Sequence, residues 1–424
     1  MNFIEELRWR GMIHDIMPGT EEALQEKSSS GYIGFDPTSD SLHIGSLVQI
    51  MILVHFQRAG HKPIALIGGA TGMVGDPSGK SQERNLLDKA TIEKNIKGVK
   101  SQLEKFLDFE GENAAELVNN ADWFDSMNFL SFIRDVGKHI SVNYMMAKDS
   151  VKSRLETGMS FTEFTYQLVQ GYDFFHLHHQ KNCIVQLGGS DQWGNIVTGT
   201  ELIRRKSGKS AFAVTTPLIK KADGSKFGKT ESGNIWLDPD KTSPYAFYQY
   251  WLNVSDEDAS NFIKIFTLFS EAEISSFQST HDEAPHQRFL QKKIAEDITK
   301  RVHGQQALDQ AINASKILFG KSTKEDLMRL SDQDFLAVFN GVPQASIQKE
   351  DIENGISIID ALVSKSGFLK SNGEARRELK ANSISVNKEK VNDQFELKNE
   401  DLINQKYVLL GKGKKTNFIL CLEG

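Results

Sequence analysis

Two buried strands that run directly into paired glycines constrain the fold of this chain most strongly. They are PIALIGG (63–69) and NCIVQLGG (182–189). A further strand, GYIGF (31–35), precedes a helix predicted from His43 to Arg58. Strands that alternate with helices predict an α/β fold with a parallel sheet, in which ligands bind at the carboxyl ends of the strands. We expect the glycine-rich loops to lie together at that edge.

The rest of the chain separates by pattern into smaller regions. At 424 residues it is too long for one ordinary domain. Few glycines and many Lys, Glu, Ala and Leu predict helices after Pro244, whereas the polar stretch with Gly341 and Pro343 predicts a linker. We therefore expect an α/β domain at 1–243, a helical domain at 244–335, a linker at 336–350 and a small α/β domain at 351–424.

The last region carries its own helix and strand signals. Ser371 and Glu374 have capping-box spacing at the start of a helix. Alternation and turn residues predict strands at ISVN (384–387), KYVLL (406–410) and NFILCL (417–422).

Composition limits the cellular compartments and the classes of partner that fit this chain. Cys183 and Cys421 are the only cysteines, which favours a reducing compartment. The first residues, MNFIEELRWRG, lack the apolar stretch of a signal peptide, and the run LVQIMILVHF (47–56) is too short to span a membrane. We expect a cytoplasmic protein without a membrane partner. Net charge is −6, yet residues 361–424 carry 12 Lys/Arg and 8 Asp/Glu. This excess fits a polyanion partner for that region, but a solvated surface of uneven charge is the preferred interpretation of the count alone.

Two segments end like a phosphate-binding P-loop. They are ADGSKFGKT (222–230) and VGDPSGKS (74–81). In each, the position of the first required glycine holds another residue, Asp223 or Val74. A P-loop NTPase is therefore disfavoured.

The stretch YIGFDPTSDSLHIGS (32–46) predicts a phosphate site. A helix that starts near His43 offers free backbone N–H groups and partial positive charge. Thr38 and His43 add donors, and Gly45 lets a flat base lie against the backbone. The alternative is a helix cap with a satisfied histidine.

Five motifs in this order resemble a known family. They are DPT (36–38), HIGS (43–46), GGSDQ (188–192), KFGKT (226–230) and the C-terminal GEARRELKANSISVN (373–387). Together they resemble the bacterial tyrosyl-tRNA synthetases, which are class I aminoacyl-tRNA synthetases with a C-terminal S4 domain. The resemblance covers nearly the whole chain. It implies a Rossmann-like catalytic domain, a helical domain on the anticodon side of the tRNA, and an S4-like RNA-binding domain.

The resemblance also implies an ATP site without a P-loop. ATP binds between the start of the HIGS helix and a separate loop, accompanied by Mg²⁺ and without a tightly bound organic cofactor. The residues implied in catalysis are Thr38, His43, Lys80, Arg84, Lys226, Lys229 and Thr230, and those implied in ATP binding are Gly34, Gly45, Ser46, Gly188, Asp191 and Lys229.

The amino-acid pocket follows from the same resemblance. Tyr32 and Asp173 correspond to the pair that hydrogen-bonds the substrate phenol. Tyr166, Gln170 and Asp76 would hold the substrate ammonium, and the spacing of Tyr166, Gln170 and Asp173 predicts one helix face. The resemblance places Gln192 near the reacting carboxylate and lets Asp36 contribute through its backbone.

Two residues depart from the family pattern, and one cluster offers another interpretation. Ser46 replaces the second histidine of the H-I-G-H motif with a shorter hydroxyl that can still hydrogen-bond ribose, and Ile33 stands where some relatives have a small cysteine, so the contact of that cysteine with ribose is absent. The cluster FHLHHQKNC (175–183) has too few cysteines for a usual zinc site, so helix-ending histidines are the preferred interpretation and no metal ligand is assigned.

The resemblance implies a homodimer that binds tRNA(Tyr). Residues 124–146 match the dimer-forming region, although their amphipathic pattern fits internal helix packing equally well. Two other hypotheses remain open: a tryptophanyl enzyme of the same class, and an inactive synthetase that acts as an RNA-binding regulator. The residues implied in RNA binding are Arg376, Arg377, Lys380, Lys412, Lys414 and Lys415.

Overall fold

A six-stranded sheet forms the centre of the N-terminal unit. The computed structural model describes residues 2–78, 87–152, 158–225, 227–230, 233–319, 323–339, 342–413 and 416–423. The strands of this sheet are β1 (Asp15–Ile16), β2 (Ser30–Phe35), β3 (Lys62–Ile67), β4 (Glu116–Asn119), β5 (Cys183–Gly189) and β6 (Phe212–Thr216).

The order of these strands places a crevice in the middle of the sheet. The order is β1-β6-β5-β2-β3-β4, and every neighbouring pair is parallel except β1 with β6. The chain leaves β2 toward β3 on one side, and β5 leads to β6 on the other. Such a switch point opens a binding crevice beyond the carboxyl ends of the two central strands. The predicted parallel sheet is confirmed.

Helices cover this sheet and make up much of the rest of the described chain. Ser, Asp and Asn side chains accept bonds from the first turns of many of them, as helix N-caps do. In chain order the helices are α1 (Phe3–Trp9), α2 (Thr20–Glu26), α3 (Ile44–Arg58), α4 (Thr71–Val74), α5 (Lys89–Leu103), α6 (Ala121–Phe124), α7 (Phe129–Asp135), α8 (Val142–Met146), α9 (Asp149–Lys152), α10 (Phe161–Lys181), α11 (Trp193–Ser207), α12 (Pro244–Leu252), α13 (Asp256–Phe266), α14 (Glu271–Glu283), α15 (Phe289–His303), α16 (Gln305–Phe319), α17 (Lys324–Met328), α18 (Asp332–Val338), α19 (Lys349–Glu353), α20 (Ile358–Asp360) and α21 (Asn372–Lys380).

Short tight helices and a small hairpin complete the secondary structure of the described residues. The hairpin pairs β7 (Lys229–Thr230) with β8 (Gly233–Asn234). The 3₁₀ turns are Gly137–His139, Ser190–Gln192, Pro285–Gln287 and Asn399–Asp401, and Ala361–Lys365 is a π-helical turn. None of the helices in the described residues is long and apolar enough to cross a membrane.

The chain forms two compact units that differ from the expected domains. The first comprises residues 1–241 and 254–302, and the second comprises 242–253 and 303–424. Helices α13 to α15 therefore belong largely with the parallel sheet, although they were expected in a separate helical domain. The apolar face of α13, for example, buries Phe262, Ile263 and Phe266, and the sequence pattern alone could not show which neighbour that face packs against.

The second unit contains a five-stranded sheet. Its order is β12-β11-β14-β15-β9, and a separate pair joins β10 to β13. Helix α21 and the strands β11, β14 and β15 confirm the elements predicted there. The strands are β9 (Gln344–Gln348), β10 (Ile356–Ser357), β11 (Ile384–Val386), β12 (Glu389–Lys390), β13 (Glu396–Leu397), β14 (Tyr407–Lys412) and β15 (Thr416–Glu423).

Two local expectations in this unit are wrong. Residues 344–348, expected in a linker, form β9 and pair in parallel with β15. Only Ile347 of that strand is buried, so its polar sequence concealed an edge strand. Ser371 does cap α21 through the Glu374 N–H, but the Glu374 carboxylate accepts from Lys370 N rather than closing a capping box.

Candidate active site

A cavity of about 390 Å³ lies at the carboxyl ends of β2 and β5. Its floor comes from these strands and one wall comes from α10. The predicted residues that line it are Tyr32, Gly34, Asp36, Thr38, His43, Gly45, Ser46, Asp76, Tyr166, Gln170, Asp173, Gly188, Asp191 and Gln192. The switch point therefore gathers these residues from five separate sequence segments into one site.

Asp173 is a buried carboxylate in this cavity. Asn120 Nδ2 donates to its Oδ2 at 3.1 Å, and Trp123 Nε1 donates to its Oδ1 at 2.9 Å. Desolvation raises the pKa of Asp173 to about 8, against the opposing effect of these two hydrogen bonds. This carboxyl therefore loses its proton less readily than an exposed aspartate does, because burial raises its pKa.

Tyr32 faces the same space from β2. It is 1% exposed, and its Oη has no hydrogen-bond partner among the described residues. Burial, with a smaller effect from Asp173, raises the pKa of its phenol well above the ordinary value. A buried hydroxyl without a partner costs free energy unless a ligand or water completes it. Tyr32 and Asp173 together present a donor and an acceptor to the cavity.

Asp36 takes part through its side chain. Thr71 Oγ1 donates to Asp36 Oδ1 at 2.8 Å, and Tyr166 Oη donates to Asp36 Oδ2 at 3.2 Å. Asn120 Nδ2 also donates to Thr71 Oγ1 at 3.1 Å, which links Asp36 to the bonds around Asp173. The sequence suggested only a backbone role for Asp36, because nothing in it showed where the carboxylate points.

Gly68 makes this arrangement possible. A Cβ added there would lie 2.2 Å from Asp36 Oδ1 and 2.3 Å from Thr71 Oγ1. The first glycine of the GG pair after β3 therefore leaves space for the carboxylate.

A second set of polar contacts surrounds Asp76. Gln192 Nε2 donates to Asp76 Oδ2 at 2.8 Å, and Asn195 Nδ2 lies 3.1 Å from Gln170 Oε1 and 3.3 Å from Gln192 Oε1. Ser78 N donates to Asp76 Oδ1 at 2.9 Å. These contacts orient Asp76, Gln170 and Gln192 toward one side of the cavity.

His43 forms the N-cap of α3. Its Nδ1 accepts from Gly45 N at 3.0 Å, so a neutral ring carries its proton on Nε2. A Cβ on Gly45 would lie 2.7 Å from the His43 ring, so any larger residue at this position would clash with that ring. His43 is also bridged to Trp236 in antiparallel register.

The backbone at the start of α3 differs from expectation. Ile44 N donates to Ile235 O, Gly45 N to His43 Nδ1 and Ser46 N to His43 O. The predicted free N–H groups are therefore occupied in this structure. The positive end of the helix dipole and the His43 side chain remain to attract an anion.

Five predicted residues lie outside the described residues, and two are described only by their backbone. Lys229 and Thr230 form β7. The residues outside are Lys80, Arg84, Lys226, Lys414 and Lys415.

The histidine cluster of α10 is explained by packing. His176 stacks on Trp123 at 4.3 Å, and His179 stacks on Phe175 at 6.2 Å between ring centroids. His178 Nδ1 lies 2.9 Å from Cys183 O, where α10 ends. Within the described part of the chain, no group of three His, Cys, Asp or Glu side chains is arranged to hold a metal ion.

Sequence reasoning missed Thr71, Asn120, Trp123 and Gln186. Gln186 of β5 lines the cavity, is 2% exposed, and has no partner for Oε1 among the described residues. A polar residue inside the buried strand CIVQLGG was the signal that could have identified it. No comparable signal marks the other three, because their role depends on tertiary contacts.

In the second unit, the predicted RNA-binding residues divide into two groups. Arg376, Arg377 and Lys380 are exposed on α21. Lys412 Nζ instead lies 3.1 Å from Glu374 and 3.0 Å from Glu378. Its charge is balanced locally by two carboxylates of α21.

Comparison with known proteins places the chain in a family. Residues 24–320 match the family model described as tRNA synthetases class I (W and Y), and residues 334–420 match a tyrosine–tRNA ligase SYY-like C-terminal domain. The chain is 62% identical to the tyrosine–tRNA ligase of Flavobacterium psychrophilum over 426 residues, 99% of each chain. It is 60% identical to that of Porphyromonas gingivalis over 430 residues and the full length of both.

A solved structure agrees. A C-terminally truncated mitochondrial tyrosyl-tRNA synthetase of Aspergillus nidulans matches with a TM-score of 0.67 and 31% identity, over 75% of this chain and 94% of the other. With relatives this similar over nearly its whole length, the chain belongs to the tyrosine–tRNA ligase family of class I tRNA synthetases.

Proposed function

We propose that this chain is a tyrosine–tRNA ligase. It joins L-tyrosine to ATP as tyrosyl-adenylate and then transfers tyrosine to the 3′ end of tRNA(Tyr). The single observation that supports tyrosine as the substrate is the buried hydroxyl of Tyr32. It has no hydrogen-bond partner among the described residues, and it lies beside the buried Asp173. A substrate phenol accepts from Tyr32 and donates to Asp173. Phenylalanine and tryptophan lack this hydroxyl and leave the pair incomplete.

The other end of the substrate lies among acidic and amide groups. Its ammonium is held by Asp36, Asp76, Tyr166 and Gln170, whose side chains the two hydrogen-bond networks orient. Its carboxylate then faces the ATP side of the cavity near Gln192.

The first step is an in-line displacement on the α-phosphate. A substrate carboxylate oxygen bonds to phosphorus, the bond to the β-phosphate oxygen breaks, and pyrophosphate leaves. The attacking group is already ionised, so the step needs positioning and stabilisation of phosphate charge rather than a base. In the second step a ribose hydroxyl of the tRNA end attacks the carbonyl, and AMP leaves.

The chain supplies donors for this charge. His43 Nε2–H and Thr38 lie on the phosphate side, with Lys226, Lys229, Thr230, Lys80 and Arg84 as the cationic and hydroxyl partners of pyrophosphate. Mg²⁺ arrives with ATP, bound to phosphate oxygens and water. The adenosine moiety rests against the residues that the family resemblance implies for it, namely Gly34, Gly45, Ser46, Gly188 and Asp191.

Amino-acid-dependent exchange between ATP and pyrophosphate tests the activity. The wild-type chain should exchange with Tyr and be inactive with Phe or Trp. Tyr32→Phe removes one hydroxyl and should lower kcat/KM for Tyr about tenfold, because one hydrogen bond to the substrate is lost. Exchange with Trp would refute the pocket assignment. No exchange from the folded chain would favour the RNA-binding regulator.

Tyrosine binding should also depend on pH. A phenol that donates to Asp173 stabilises the carboxylate, and that carboxyl is protonated below its pKa of about 8 in the free protein. Tyrosine affinity should therefore rise as pH increases from 6 to 8, by at most about tenfold per unit, with proton release. Calorimetry in buffers of different ionisation enthalpy measures both. Asp173→Asn cannot ionise and should bind weakly with a flat profile; a flat wild-type profile would contradict the assignment.

A second copy of the chain is the proposed partner of an exposed apolar face. Exposed apolar side chains in such numbers mark an interaction surface. Those of this face are each 40–75% exposed: Phe129, Leu130, Ile133, Val142, Met146 and Phe161. Most of them lie in the expected dimer-forming region, 124–146.

Sedimentation velocity tests this assembly. The wild type should sediment as a dimer, and Leu130→Asp should dissociate it because a charge is placed in the apolar contact. Leu336→Asp, at an exposed leucine of α18, is the matched control and should leave the dimer intact. A monomeric wild type, or a dimer that tolerates Leu130→Asp, would refute the proposal.

The exposed cations of α21 are the proposed contacts with tRNA phosphates. Arg376, Arg377 and Lys380 are exposed on this helix, and none of them forms an ion pair with another described residue, whereas Lys412 pairs with Glu374 and Glu378. Lys414 and Lys415 belong to the same proposal on sequence grounds.

Salt dependence separates phosphate contacts from other effects. Changing Arg376, Arg377 and Lys380 together to Ala should weaken tRNA binding and flatten the plot of log K against log salt by about one unit per lost contact. Tyrosine-dependent exchange, which needs no tRNA, should be unchanged. An unaltered salt slope would show that tRNA lies elsewhere.

A further inference from the structure

Helix α13 contacts the segment that leads into the KFGKT motif. Ala222 N donates to Asp258 Oδ1 at 2.8 Å. Asp258 is 6% exposed and lies in the first turn of α13. Its backbone N–H donates to the side chain of Ser255, the N-cap residue of this helix. This bond joins the loop backbone to a side chain held in place by helix geometry.

The same helix holds the phenylalanine of the motif. The Phe227 ring stacks on Phe266 at 5.1 Å with an interplanar angle of 15°, and it meets Phe262 edge-on at 5.0 Å. Phe262 and Phe266 are each 1% exposed. Phe227 is thus an apolar anchor set into the face of α13.

Beyond this anchor, the chain lies against the start of α3. Ile235 N donates to Gly228 O, and Ile44 N donates to Ile235 O. A Cβ on Gly228 would lie 3.4 Å from Gly45 N, and its φ of +82° suits glycine. The backbone between the motif's two lysines therefore touches the helix that His43 caps.

Helix α13 is itself fixed to the N-terminal helix. Arg10 lies in the turn after α1 and is 2% exposed. It donates to the carbonyls of Lys264, Thr267 and Phe269 at the end of α13, and to Glu6 Oε1 at 2.8 Å. A buried guanidinium so placed satisfies carbonyls that a helix end leaves without partners.

We infer that α13 is a platform that positions the 227–230 segment over the phosphate side of the cavity. Asp258 and Phe227 act as positioning residues for adenylate formation, and neither touches the reacting atoms. The inference rests on the proposed function. It predicts a loss confined to steps that involve ATP, because tyrosine binds at the other end of the cavity.

Three variants of α13 test the hydrogen bond. Asp258→Ala removes the acceptor for Ala222 N, whereas Asp258→Asn keeps an oxygen there. Glu257→Ala, at an exposed neighbour, removes the same helix-end charge without touching the loop. Asp258→Ala should lower kcat/KM for ATP in pyrophosphate exchange about fivefold, with tyrosine Kd and Tm close to wild type. The other two variants should stay within about twofold.

The aromatic anchor gives an independent measurement. Phe227→Ala should lower the same parameter by about tenfold or more, and Phe227→Leu should recover most of it because an apolar side chain still fills the site. Tyrosine Kd should again be unchanged in both.

The outcomes separate the two proposals. A wild-type chain without tyrosine-dependent exchange overturns the proposed function. Exchange that is normal in Asp258→Ala and Phe227→Ala overturns the platform alone. Equal losses in Glu257→Ala and Asp258→Ala, or weaker tyrosine binding in both positioning variants, would assign α13 a general structural role and also overturn it.

Discussion

Burial of the Asp173 carboxylate is the constraint around which the site is organised. A charge removed from water is costly unless donors replace the lost hydration, and Asn120 and Trp123 supply two such donors. Asn120 is itself fully buried, accepts from Ala70 N, and donates to Thr71 as well. One amide thus ties the loop after β3 to α10. The two hydrogen bonds compensate only in part, so the pKa of the Asp173 carboxyl stays above its ordinary value.

The parallel sheet and the gathering of glycines at one edge could be predicted from sequence. A strand that runs into GG, followed by a helix, admits few other folds. The common face of Tyr166, Gln170 and Asp173 also followed from helical spacing, and all three line the cavity.

Other features could not be read from the chain because they depend on which segments meet. The donors Asn120 and Trp123 follow β4 without any local mark. Ile235 O accepts from the first N–H of α3, although Ile235 lies nearly 200 residues further along the chain. The expectation that the N–H groups at this helix start are free was therefore wrong. Strand β9 was not predicted because the sequence of an edge strand with one buried side chain resembles that of a polar linker.

The contacts that form the cavity join residues that are far apart along the chain. Thr71 and Asp36 are 35 residues apart, Asn120 and Asp173 are 53 apart, and Tyr166 and Asp36 are 130 apart. Each contact closes a long loop whose entropy must be lost before the bond forms. A chain emerging from the ribosome therefore has its first site strands long before it has a pocket. The pocket is completed only once Gln192, near the middle of the 424-residue chain, can reach Asp76.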